Sequence, residues 1–269
     1  MSSYSKSTTT NIVINVVKSF LFILGVGTFQ IVVAGERAGS ETSFSKDEWK
    51  FHVSPYLWGA SMSGDVGHSR IGTHYVESRF SDILKNVDFS AMIMGEARKG
   101  KMSIFLDYMY INGSMSHGLP PQVPAQEIKA KGNVTTGYLG AGYTVFEGEN
   151  TRVDLIGGLR VWHADLTLGL HGGPMPVTTA GVSETWVDAT AGVRGRYFLN
   201  DQFSLTAWAL AGKGGAKKDW DLALLANWSI NKSFTLTAGY RAMGVDYEKN
   251  KVVYDIRQQG PMVGLTYSF

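Results

Sequence analysis

The sequence predicts an all-β chain, an antiparallel up-and-down barrel of about ten strands that crosses a membrane. Three observations predict it. Segments that alternate between apolar and polar residues recur from Trp49 to the end of the chain, the two-residue period of a strand with unlike faces. The connections between these segments alternate between tight and longer ones. Charges inside the segments keep to one face.

The candidate strands are 48–62, 88–98, 101–115, 126–146, 151–170, 181–198, 203–214, 217–230, 233–248 and 251–269. Tight connections (RKGK, EGENT, LNDQ, INKS) alternate with Ser63–Val87, SMSHGLPPQVPA, HGGPMPVTTAG, GKGGAKK and the brief EKNK. A barrel in an outer membrane sorts its loops in this way, whereas a soluble sandwich has no reason to. Hydrocarbon cannot satisfy an open sheet edge, so the sheet must close. Both ends on one side require an even strand number. Ten meets that condition, with eight and twelve as alternatives. The segment HSRIGTHYVESRF is expected in the first outer loop or folded into the lumen. A helical turn at SDILKN, capped by Ser81, follows it.

The faces can be assigned strand by strand. Phe89, Ala91, Ile93, Gly95 and Ala97 oppose Glu96 and Arg98. Met102, Ile104, Leu106, Tyr108 and Tyr110 oppose Asp107. Val153, Leu155, Leu159 and Val161 oppose Arg152, Asp154 and Arg160; Val187, Ala189, Ala191 and Val193 oppose Glu184, Asp188, Arg194 and Arg196. Leu222, Leu224 and Trp228 oppose Asp221, and Leu236, Ala238 and Tyr240 oppose Arg241. An Arg or Lys facing lipid at mid-bilayer costs about 2–4 kcal/mol. The apolar rows therefore face hydrocarbon and the charges face a polar lumen. Segments 126–146, 203–214 and the first strand carry apolar residues in both phases and remain ambiguous.

Composition agrees. Charged residues make up 18% and aromatics 12% of the chain, against roughly 25% charged in an ordinary soluble protein. There is no cysteine, which excludes disulfides and thiolate metal sites. Residues 1–34, with Lys6, Lys18 and the apolar run SFLFILGVGTFQIVV, read as a cleaved signal peptide. Residues 35–47 form a flexible lead and 48–269 the barrel domain. The segment 1–34 holds two of the 25 basic residues and no acid, so the remainder balances 23 basic against 23 acidic residues. Nothing here attracts nucleic acid.

The ending QQGPMVGLTYSF places Val263, Leu265, Tyr267 and Phe269 on one face. It resembles the C-terminal assembly signal of bacterial outer-membrane β-barrel proteins. The resemblance implies recognition by the barrel-assembly machinery, a periplasmic C-terminus and residence in the outer membrane of a Gram-negative bacterium.

Candidate chemistry is sparse. The lumenal charges Glu96, Arg98, Asp107, Asp154, Arg160, Glu184, Asp188, Arg194, Arg196, Asp221 and Arg241 would form either a charge-selective constriction or a salt-bridge network that plugs the barrel. WHADL sets His163 and Asp165 on one face near an upper strand end, the weak signature of a rim hydrolase; polar rim residues are the plainer reading. His171 follows in the next loop, and His52, His68, His74 and His117 are scattered. No metal-ligand spacing recurs, and neither metal nor cofactor is expected. AGKGGAKK lacks the ending of a phosphate loop; its Lys213, Lys217 and Lys218 suit solvent or lipopolysaccharide phosphates. Trp49, Tyr110, Tyr197, Phe203, Trp220, Trp228 and Phe269 suit interfacial girdles. The leading functional expectation is a structural or narrow-pore, small-solute-binding barrel. A rim hydrolase and a loop-mediated adhesin are the alternatives.

Overall fold

The computed structural model describes residues 48–68, 72–119, 125–172 and 178–269. The expected signal peptide 1–34 and lead 35–47 lie outside them. The described residues form β1 (Lys50–Trp58), β2 (Ser61–His68), β3 (Gly72–Ser78), α1 (Phe80–Leu84), β4 (Val87–Lys99), β5 (Met102–Gly118) and β6 (Glu127–Glu147). There follow β7 (Thr151–His171), β8 (Thr178–Phe198), β9 (Phe203–Gly214), β10 (Lys218–Ser229), β11 (Phe234–Lys249) and β12 (Val252–Ser268). β1 and β4 through β12 pair in sequence, and β12 pairs back onto β1. The result is a closed antiparallel barrel of ten strands, as the alternation and loop parity predict.

The first outer connection departs from expectation. Residues 61–68 and 72–78 are neither loop nor lumenal plug; they extend the wall. The far half of β12, Val252–Gln259, pairs with β2 while its near half pairs with β1. β1 and β2 are therefore one wall strand interrupted at Gly59–Ala60, where the Gly59 N–H still donates to the Pro261 carbonyl at 2.8 Å. β3 folds back on β2. The signal was diluted by Ser and Gly, but Met62, Val66 and Val76 alternate and are all buried inside. Ser81 does not cap α1: the N-cap is Arg79, without a side-chain capping bond, and Ser81 lies one position inside the helix. Ile83, fully buried, anchors the helix instead.

The ambiguous strands resolve by what fills the lumen beside them. Phe203 and Leu205 of β9 face out and are exposed, whereas Leu210 is buried with Tyr138 and Ile156, and Trp208 packs against them. Phe51 of β1 is outside; Tyr56 and Trp58 are inside and buried. Tyr138 of β6 finds room inside because Gly140 and Gly158 carry no side chain there. A Cβ on either would fall under 3 Å from its hydroxyl oxygen.

Strand lengths make the rim uneven. β6, β7 and β8 have 21 residues each, about 70 Å of strand and about 50 Å of height at a tilt of about 40°. β9 and β10 have 12, close to the height of an apolar band about 25 Å tall. At the end carrying both Trp49 and Phe269, called the near end, aromatic rings run across the closing seam. Trp49 stacks on Phe51, Phe51 on Phe269, Phe269 on Tyr267, and Phe234 tilts against Tyr267, at centroid distances of 5.2–6.2 Å.

Candidate functional site: a lumen with one open end

The two faces of the wall are opposite in chemistry. Outside, Ile104, Leu106, Leu139, Leu155, Leu159, Val193, Leu224 and Tyr240 are exposed along a continuous apolar belt. Inside, Arg160, Asp188, Asp219, Asp221 and Arg241 are at most 2% exposed. A soluble protein does not leave such a belt in water while packing ions in its centre; lipid outside explains both. The chain is a membrane-spanning β-barrel.

Across the middle of the barrel lies a layer of paired ions. Arg160 donates to Asp219 at 2.6 Å and to Asp221 at 2.8 Å. Arg241 donates to Asp221 at 2.7 Å and to Asp107 at 2.6 Å. Trp162 and Trp208 each donate an indole N–H, to Asp219 and Asp221 respectively, at 2.9 Å. The Tyr56 hydroxyl donates to Asp107 at 2.8 Å and accepts from Arg241 at 3.2 Å. The side chains come from β1, β5, β7, β9, β10 and β11, so the layer ties opposite walls together. Charges this far from water persist because each is paired and hydrogen-bonded.

Beyond this layer, toward the far end, the lumen is filled by an apolar core. Trp58, Met62, Val66, Val76, Ile83, Met109, Ile111, Trp162, Trp186, Met243, Val245 and Ile256 form one buried cluster. Trp186 is sandwiched between Trp162 at 5.9 Å and Tyr247 at 4.2 Å. The β9–β10 turn bends inward over this core: Ala216 is buried, and its N–H donates to Asp188 Oδ1 at 2.8 Å.

Toward the near end the lumen opens into a vestibule of about 790 Å³, floored by Asp107, Arg160, Asp221, Arg241 and Leu225. A second ionic group is built into its wall, with Glu96, Arg194 and Arg196 lining the cavity and the rest behind them. Arg98 pairs with Glu96 at 2.9 Å and with Asp154; Arg194 pairs with Glu96 at 2.6 Å and lies over the Phe105 ring. Thr144 donates to Asp154 at 2.6 Å. Arg196 reaches Thr206 at 3.3 Å. Asn227, Thr206 and Thr237 form a neutral hydrogen-bond network nearby.

The eleven lumenal charges expected from the sequence all have inward positions, and the structure divides them by depth. Asp107, Arg160, Asp221 and Arg241 form the middle layer. Glu96, Arg98, Asp154, Arg194 and Arg196 form the near group. Asp188 staples the turn, and Glu184 accepts from Tyr247 at 2.9 Å and Asn250 at 3.1 Å. Asp219 was missed, although it shares the phase of Asp221 two residues on; it sits where strand and turn meet. Tyr56, Trp162 and Trp208 were missed because partnering of aromatic polar atoms has no periodicity to read.

His163 and Asp165 do share a face, but it is the outer face of β7. His163 Nδ1 lies 2.8 Å from Thr185 Oγ1, and Asp165 stands opposite Ser183. Neither lines the vestibule. Lys217 pairs with Glu248, while Lys213 and Lys218 are exposed beside it. Val263, Tyr267 and Phe269 face out and are exposed, with Leu265 half-buried in the same row. Of the expected girdle, Trp49, Tyr197, Phe203, Trp228 and Phe269 ring the near end of the belt, while Tyr110 and Trp220 mark its far edge. Among the described residues no group of histidines and carboxylates is gathered to hold a metal ion.

No protein-family model matches the chain, and no curated protein does. Similar solved structures include the outer-membrane protease OmpT from Escherichia coli, with TM-score 0.48, 13% identity, and coverage of 86% of this chain and 100% of that one. The attachment invasion locus protein Ail of Yersinia pestis gives 0.37 and 12%, covering 83% and 99%. The translocator domain of autotransporter NalP from Neisseria meningitidis gives 0.41 and 10%, covering 81% and 88%. At these identities the likeness concerns the barrel alone.

Proposed function

We propose that this barrel is a dead-ended receptacle, open to the periplasm and closed toward the outside, that binds small solutes and does not conduct them. One observation carries the reading: an apolar core, from Trp58 to Ile256, fills the lumen beyond the layer built by Arg160, Asp221 and Arg241. Ions do not cross packed Trp, Met and Ile side chains, and core packing of this kind leaves no room for a water file. The vestibule volume suits a small molecule. The short turns at the near end support its placement toward the periplasm.

Planar-bilayer recording tests this. The reconstituted protein is expected to give no steps of conductance in molar salt; regular ion-conducting openings would overturn the reading. His163→Ala is expected to leave solute binding unchanged, since that side chain faces away from the lumen.

A further inference from the structure

We propose that the near-end vestibule is reactive: Ser268 and His52, with Glu96 beside the imidazole, cleave a small uncharged carboxylic ester by acyl transfer to Ser268 and then to water. The inference rests on the receptacle reading and adds the chemistry and ligand class of the same cavity.

The three residues share one rung of the wall. His52 of β1 stands opposite Ser268 of β12 on one side and Glu96 of β4 on the other. All three line the cavity, while Tyr267 and Phe269, on either side of Ser268, face out and are exposed. His52 Nδ1 lies 2.8 Å from Ser268 Oγ, within the reach a base needs to take a hydroxyl proton. With its own proton on Nε2, the imidazole accepts from that hydroxyl. Glu96 Oε1 accepts from Arg98 and Oε2 from Arg194, which fixes its carboxylate in place. Of the charges acting on His52, that of Glu96 is the strongest, with Arg196, Arg194 and Arg152 opposing it. Glu96 is thus a positioning residue that favours the imidazolium formed in the reaction.

Other cross-strand pairs show what sets this one apart. Ser54 and Thr266, next inward on the same seam, lie 2.7 Å apart but include no base. His163 and Thr185 lie 2.8 Å apart, but on the outer face and away from the cavity. At His52 a hydroxyl, an imidazole and a carboxylate meet on the wall of a space that can hold a substrate.

The chemistry is acyl transfer. Ser268 Oγ bonds to the ester carbonyl carbon and its proton passes to His52 Nδ1. The bond to the alcohol oxygen then breaks, and the alcohol leaves with that proton. Water adds to the acyl-Ser268 and gives a proton to His52; the bond to Ser268 Oγ breaks, Oγ takes the proton back, and the carboxylic acid departs. Arg194, directed at Glu96 through Nη1, belongs to the same wall and is the donor placed nearest for the carbonyl oxygen as it gains charge. Six carboxylates and six Lys or Arg side chains line the cavity, so neither sign of ligand is favoured and an uncharged ester fits best. Phe105, Ile156 and Leu225 give its wall an apolar part for a short acyl chain.

The test is hydrolysis of p-nitrophenyl butyrate by the full chain in detergent micelles. Saturable turnover is expected, reduced about a hundredfold or more in Ser268→Ala and in His52→Gln and unchanged in His163→Ala. Glu96→Gln is expected to lower kcat about tenfold with KM unchanged, a split that a purely structural role would not produce. Folding of each variant is checked by its heat-modifiable electrophoretic shift. A measurement on the unaltered protein runs alongside: diisopropyl fluorophosphate is expected to label Ser268, to spare Ser54 and to stop turnover. No turnover of the butyrate, turnover that survives either substitution, or label that avoids Ser268 overturns the inference. A silent bilayer without ester cleavage removes only this proposal, whereas conductance removes the receptacle reading beneath it.

Discussion

Phe51 and Phe269 exchange both of their backbone hydrogen bonds, N–H to carbonyl at 2.9 Å in one direction and 3.0 Å in the other, and their rings stack at 5.6 Å. Phe269 thus closes the barrel against the second residue of β1. Deleting Phe269 removes both bonds and a ring contact at the seam. The expected loss is about 2 kcal/mol, read as an earlier urea midpoint for the barrel in lipid vesicles. Phe269→Ala, which keeps the backbone bonds, is expected to lose less than the deletion.

The middle ion layer predicts an asymmetry. Arg160→Ala leaves Asp219 without its guanidinium and Asp221 with one fewer, in a site closed to water. Breaking a buried pair in this way costs about 3–5 kcal/mol. Glu96→Gln, in the more accessible near group, is expected to cost distinctly less. Urea unfolding of the two variants in the same vesicles checks the order.

Gly158 predicts a packing failure. A Cβ there would lie 2.4 Å from the Leu139 carbonyl and 2.8 Å from the Tyr138 hydroxyl, so Gly158→Val must move a backbone as well as a ring. A loss of about 1–3 kcal/mol follows. Tyr138→Ala in the same chain relieves the ring clash but not the backbone clash, and is not expected to restore stability.

The far outer wall predicts a pH effect. Asp246, Asp255 and Asp65 stand side by side on β11, β12 and β2, facing out beyond the apolar belt. Partial burial, then the charges of Asp246 and Asp65, push the Asp255 carboxyl upward. A carboxyl raised in the folded state disfavours folding once it is ionised, and stability returns as pH falls through the raised value. Asp255→Asn is therefore expected to stabilise the barrel at neutral pH, by about 0.3 kcal/mol after allowing for solvent screening. The gain should shrink toward zero in acid. A gain that persists undiminished at low pH would contradict the electrostatic cause.

The barrel was legible in the sequence because lipid imposes a strict rule on one face of every strand. Arg160 and Leu159 could be assigned to opposite faces from adjacency alone. Inside the lumen no such rule holds. Trp208 and Leu210 face in where Thr206 and Ser204 also face in, because the lumen is apolar at one depth and polar at another. A single strand cannot report what the other nine place beside it. The β2–β3 hairpin was hidden for the same reason: its alternation of Met62, Gly64 and Val66 reads as loop until a core is known to receive it. Arg152 and Arg196 could be placed inside by period, but their confrontation across one ladder depends on register.

The long strands β6 to β8 carry the packed far half well past the hydrocarbon. That half has a centre of its own, built from the tryptophans around Trp186, and so keeps its shape by the same forces as any water-soluble β-domain. Thinning the bilayer or changing its lipids would disturb the waist of the molecule and leave this crown unaltered.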